Sequence, residues 1–197
     1  NPKHTILQSV LIFLSVFLGI WAGNWNASRK EHQRTRHFLE NLNQELQVNR
    51  KNIERSIPYH EFLHNYCDSI MRVQDEAYMT QSLLKAGGFN LIEGWRGMGV
   101  TTLESAVYQS GVMGNNLEHI PIDLLVWISK TYTYQDEYRR FSRSISEKML
   151  NLTSETKVID LMIIIEILGG DILGMEKQMI DGYDRMIESI EKELAKG

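Results

Sequence analysis

The residues best suited by type and spacing to chemistry are His60-Glu61-Phe62-Leu63-His64, an HExxH pentapeptide. On a helix its two imidazoles lie one turn apart and can share a Zn²⁺ ion, while Glu61 can polarise a metal-bound water as general base. A catalytic zinc also needs a third protein ligand and an open coordination position. Asp68, Glu93, Glu104 and His119 are the candidates for that ligand, and none stands in a familiar downstream motif. Pro58, two residues before His60, sets the pentapeptide in a first helical turn, whereas zincin motifs lie deeper in a helix behind apolar residues. A pentapeptide this short also arises by chance. His60 and His64 are therefore read first as surface histidines, and a zinc-dependent membrane hydrolase is kept as the alternative.

Other chemistry is sparse. The glycines of Gly88–Gly99, GFNLIEGWRGMG, match neither a dinucleotide fingerprint nor a P-loop, and no lysine follows in the required place. Cys67 is the only cysteine, which excludes an intrachain disulfide, and it lacks a nucleophile motif. Asn26-Ala27-Ser28 and Asn151-Leu152-Thr153 match glycosylation sequons, short patterns that are uninformative without a eukaryotic secretory context. The chain has 197 residues, a formal net charge of −4 and 43% hydrophobic residues. That acidic balance argues against non-specific nucleic-acid binding. No cofactor is implied.

The element that must place everything else is Thr5–Gly23, TILQSVLIFLSVFLGIWAG, an uncharged apolar run. A bilayer core takes about 20 apolar residues of helix, and Thr5–Trp25 supplies that length. Trp21 and Trp25 fall at its far end, where indole rings favour the membrane interface, and Arg29 and Lys30 mark the exit into water. The run is longer than a usual signal-peptide core, and no small-x-small cleavage site precedes its polar flank. Residues 1–25 are thus expected to be a transmembrane anchor. Four cations, Arg29, Lys30, Arg34 and Arg36, follow the span, against Lys3 and His4 before it, a count that puts residues 26–197 in the cytoplasm. The chain begins with Asn1 rather than Met, so residues before it are expected to be missing and the count is one-sided.

Few breakers interrupt the rest: the prolines are at 2, 58 and 121. The helix is expected to continue as a stalk over 26–57, with Leu39, Leu42, Leu46 and Ile53 forming an a/d seam in which Asn49 fills the missing step. The seam suits one face of an intramolecular bundle better than a self-associating coil, because it lasts barely three heptads. Pro58 is expected to end or kink the helix. Bundle helices follow at about 59–85, 101–113, 121–150, 154–168 and 171–195. Gly87-Gly88 and Gly169-Gly170 are read as stops, Thr101 or Thr102 as a cap, and Pro121 as a first helical position. Val158–Leu168 is apolar on nearly every side but carries Asp160 and Glu166, which marks a buried central helix rather than a span.

Gly23–Leu46, GNWNASRKEHQRTRHFLENLNQEL, resembles a family of single-pass membrane proteins of Bacteroidota-type bacteria. In that family the span ends in Asn-Trp-Asn-x-x-Arg-Lys, here Asn24, Trp25, Asn26, Arg29 and Lys30, and a charged helix with periodic leucines follows. Trp95, Thr101 through Tyr108, and Gly111 through Tyr138 extend the resemblance to about two thirds of the chain. HExxH is not part of the family pattern. The family carries no established activity, so the resemblance implies a helical domain on a bacterial inner-membrane anchor and assigns no functional residue. Its members often begin with a basic leader, which would place the domain in the periplasm; the periplasm is the topology expected, with the cytoplasm as the alternative. Taken together, the chain is expected to be all-α, an N-terminal transmembrane helix continuing into a helical bundle. The function expected is that of a non-enzymatic interaction protein whose partners are the bilayer and another protein or a second copy. Trp21, Trp25, Arg29 and Lys30 would set its depth, and Leu39, Leu42, Leu46 and Ile53 would pack or associate.

Overall fold

The computed structural model describes the backbone of residues 2–114 and 117–196, and side chains from Leu11 onward except Ile12, Asn115, Asn116 and Gly197. The described chain is all-helical, with helices in the order α1 (Pro2–Val73), α2 (Glu76–Thr80), α3 (Ala106–Met113), α4 (Ile122–Leu150), α5 (Val158–Ile167) and α6 (Leu173–Leu194). A 3₁₀ turn, Gly88–Leu91, precedes α3, and a π-helical turn, Leu168–Ile172, joins α5 to α6. The residues flanking the π turn, Ile167 and Leu173, are right-handed helical, so α5 and α6 run on through it.

α1 is a single helix of 72 residues, about 110 Å long at 1.5 Å per residue. Pro58 does not end it, contrary to expectation, and the helix expected over 59–85 is the last part of α1 followed by a short α2. Proline removes one backbone donor, but its exposed position leaves the unpaired carbonyl on the solvent side. The buried face explains why the helix continues. Leu39, Leu42, Leu46, Asn49, Ile53, Ser56, His60, Leu63 and Cys67 alternate steps of three and four, and all are buried. The a/d seam therefore runs about four heptads, and its polar members disguise its second half.

α6 is the main partner of α1 and presents Glu176, Met179, Tyr183, Met186 and Ile190 with the same spacing. α4 covers the other side of α6 with Ile128, Tyr132, Gln135, Tyr138 and Ile145. Tyr134, Phe141 and Met149 lie at the edge of that core. Gly169 and Gly170 do not stop the helix. A Cβ on Gly169 would lie 2.6 Å from His64 Cα, so Gly169 is where α1 and the π turn cross most closely. Gly111 lies inside α3, where Phe38 occupies the space a Cβ would need. α3 begins at Ala106, later than a Thr101 or Thr102 cap would set it, and Pro121 is the N-cap of α4 rather than its first residue. Val158–Ile167 is the buried helix its composition implies, and an antiparallel bridge between Ser82 and Lys157 pins the segment after α2 to its start.

Candidate functional site

The seam on α1 carries polar side chains where apolar ones would normally sit, and each is committed to a partner. Glu176 lies at the centre. Its Oε1 accepts from Ser56 Oγ at 2.7 Å and from Tyr138 OH at 2.9 Å, and its Oε2 lies 2.8 Å from His60 Nδ1. His60 and Glu176 are both fully buried. His60 Nε2 lies 2.8 Å from the Met98 carbonyl, which can only accept, so Nε2 carries a hydrogen. One proton then lies between His60 Nδ1 and Glu176. Burial and the Glu176 charge push the Tyr138 phenol upward, so it stays a donor.

About two turns toward the N-terminus, counted from Ser56 to Asn49, is a second cluster. Glu45 accepts from Tyr132 OH at 2.5 Å and from the Val107 backbone N–H at 2.8 Å, which puts its carboxylate on the N-terminus of α3. Ser105, the N-cap, makes no side-chain cap there. Asn49 holds the Glu104 backbone at both ends, Nδ2 to the carbonyl at 2.8 Å and Oδ1 from the N–H at 2.7 Å. Gln135 donates to the same carbonyl at 2.6 Å and accepts from Tyr183 OH at 2.9 Å. Burial raises the Tyr132 and Tyr183 phenols.

These side chains bind residues 88–107 as a strap running antiparallel along α1. Tyr66 OH donates to Leu91 O at 2.5 Å, Tyr59 OH to Gly97 O at 2.7 Å, and His60, Asn49 and Glu45 take Met98, Glu104 and Val107 in turn. Irregular backbone cannot satisfy itself, so α1 supplies the partners. Gly99 adopts a left-handed φ of 76°, and a Cβ there would strike the Tyr59 ring. Phe89 and Trp95 stack at 5.3 Å within the strap, and Arg96 lies 4.4 Å above the Tyr59 ring.

HExxH is thus divided among three environments. His60 is not a surface residue: both its ring nitrogens are engaged, by Glu176 and Met98. Glu61 pairs with Lys177 at 2.8 Å on the surface. His64 is turned toward Asp68 and Glu166, whose ligand atoms all lie within 4.8 Å of one another. Of the other candidate ligands, His119 pairs with Glu31, and the Glu104 backbone is held by Asn49, 55 residues away in sequence. Neither they nor Glu93 belongs to the His64 cluster.

Leu39, Leu42, Leu46 and Ile53 are 0–3% exposed, which assigns them to the intramolecular core rather than to a free association face. Trp21 and Trp25 are exposed, their rings 5.1 Å apart, and Arg29 and Lys30 follow on the exposed helix. From Leu11 to Arg34 every described residue of α1 is exposed. Among the described residues no helix is long and apolar enough to cross a membrane. Much of the expected span, Thr5–Val10 and Ile12, lies outside the residues whose side chains are described. The polar partners of the seam, Glu45, Glu176, Gln135 and Tyr132, were not expected; the signal for them is a polar residue standing on the three-four step of an apolar stripe. Comparison of the chain with family models, with curated proteins and with solved structures finds no match to any of them.

Proposed function

We propose that this chain is a membrane-anchored interaction protein, an accessory or scaffold subunit in which α1 is both anchor and spine. One observation carries the proposal. The N-terminal part of α1 projects from the bundle with Leu11, Phe13, Leu14, Val16, Phe17, Leu18 and Ile20 between 49% and 77% exposed. Residues 16, 17 and 18 point to different faces, so the surface is apolar all round and not a stripe awaiting one partner helix. Each such side chain gains about 1.5–3 kcal/mol on leaving water, and a bilayer accepts every face at once. Trp21 and Trp25 then fall at the interface, and Arg29, Lys30 and Arg34 at headgroup depth. With the anchor so placed, the lower end of the bundle, where His119 meets Glu31 and Arg36 Nη1 donates to Leu194 O, faces the membrane. The resemblance of Gly23–Leu46 to single-pass membrane proteins supports the same placement. Apolar Ile122, Val126 and Trp127, exposed along α4, support a protein partner.

The test is extraction of native membranes in gentle detergent, followed by mass spectrometry of whatever co-migrates with the chain. A defined partner complex is expected. A chain that is monomeric and captures nothing overturns the scaffold reading.

A further inference from the structure

His64 and Asp68 stand one turn apart on α1, and Glu166 reaches them from α5, with one ligand atom of each within 4.8 Å of the others. We propose that these three side chains form a binding site for a divalent transition-metal cation of the zinc class, one that shares His64 with HExxH but uses neither His60 nor Glu61 and is independent of the membrane anchor. Three features point to a cation.

The first is charge. Two carboxylates converge beside an imidazole, and the cation paired with them, Arg72 on Asp68 at 3.1 Å, is exposed and free to swing away. A neutral histidine with two carboxylates carries the charge that a divalent ion balances. The second is an unmet bond. His64 Nδ1 is out of contact with solvent and has no hydrogen-bond partner, which is rare for a buried ring nitrogen. The third is backbone placement. The π turn begins two residues after Glu166, and Gly169 inside it lets α5 and its continuation close onto the His64 backbone. π-helical turns recur at functional sites because they re-aim neighbouring side chains.

The donor set chooses the metal class. One imidazole and two carboxylates suit zinc and its first-row neighbours, whereas Mg²⁺ and Ca²⁺ prefer all-oxygen shells. Glu166 is exposed, so water can complete the coordination on that side.

The experiment uses the full chain in detergent micelles, stripped with chelator and titrated with ZnCl₂ by calorimetry, with MgCl₂ and CaCl₂ in parallel. Glu166→Gln and Asp68→Asn remove one ligand charge each at positions outside the core, and melts in chelator confirm that both variants fold. His119→Gln removes an unrelated exposed histidine. The proposal expects one Zn²⁺ per chain, binding at least about tenfold weaker in both carboxylate variants and unchanged in His119→Gln. It expects Zn²⁺ to raise the melting temperature of the wild-type chain more than that of Glu166→Gln. It also expects no binding of Mg²⁺ or Ca²⁺ at the same concentrations. No one-site zinc binding, or zinc binding equal in wild type and Glu166→Gln, overturns it.

Discussion

His60 and Glu176 show how context decides what a histidine is for. Within HExxH, His60 is typed as a ligand; in the fold it is a buried structural partner whose two nitrogens are taken. Removing the carboxyl group that a buried polar network shares leaves its partners unsatisfied together and costs about 3–5 kcal/mol. Glu176→Ala should therefore lower the unfolding free energy by about that amount, since Ser56, Tyr138 and His60 all lose their acceptor together. Glu61→Gln, which breaks only an exposed contact with Lys177, should cost less than about 1 kcal/mol. Urea denaturation of the two variants measures the contrast, and equal losses would contradict the assignment. The buried tyrosines give a pH prediction. Tyr132, Tyr138 and Tyr183 are all raised above the ordinary phenol value, mainly by burial. In the unfolded chain they lose their protons near pH 10 and in the folded chain they keep them, so the unfolded state binds fewer protons and stability falls as pH rises through that range. The slope should approach about 1.4 kcal/mol per pH unit for each of the three, and these groups should contribute no slope below about pH 9. Unfolding free energies measured from neutral to alkaline pH give that slope. Cys67, pushed up to about 12 by burial and by Glu166, adds in the same direction from its own lower unfolded value.

At the scale of elements, the crossing of α1 with the π turn brings backbone against backbone. Gly169→Ala would put a methyl against the His64 backbone, an overpacking that should cost about 1–3 kcal/mol, read as a lower melting temperature. Gly182, with open space where its Cβ would be, should accept alanine without loss. Equal effects at the two glycines would contradict the crossing. Leu42→Glu should prevent folding of the bundle, because Leu42 is fully buried in the α1 seam, and circular dichroism would report the loss. Much of this level was legible in the residues. The apolar three-four steps of Leu39–Ile53, of α4 and of α6 announce an all-α bundle, and Val158–Leu168 announces its buried helix. What was hidden has a common physical cause. Pro58 and the Gly169-Gly170 pair are local breakers whose effect tertiary packing overrides: proline on an exposed face loses a bond that solvent can replace, and the two glycines widen the helix instead of ending it. Ser56, His60 and Glu176 look like surface residues one by one, and only their partners, more than 100 residues away, make them core. The strap had no period to read, since its bonds run to α1 side chains rather than to itself. Of the metal cluster, His64 and Asp68 could be paired from their spacing of four, whereas Glu166 is brought in by the fold alone.

At the scale of the whole molecule, α1 carries two kinds of surface along about 110 Å of helix. Its C-terminal half is the spine on which α6, α5, α3 and the strap are laid, and in its N-terminal part, from Leu11 to Arg34, every described side chain is exposed. A helix this continuous holds the bundle at a set distance and orientation from whatever receives its apolar end, which is the arrangement a scaffold subunit needs. The most direct measurement is alkaline carbonate extraction of membranes from cells making the full chain, beside a variant with Phe13, Phe17 and Ile20 replaced by lysine. The account predicts the full chain in the membrane pellet and the variant in the supernatant. A full chain released wholly into the supernatant would contradict it.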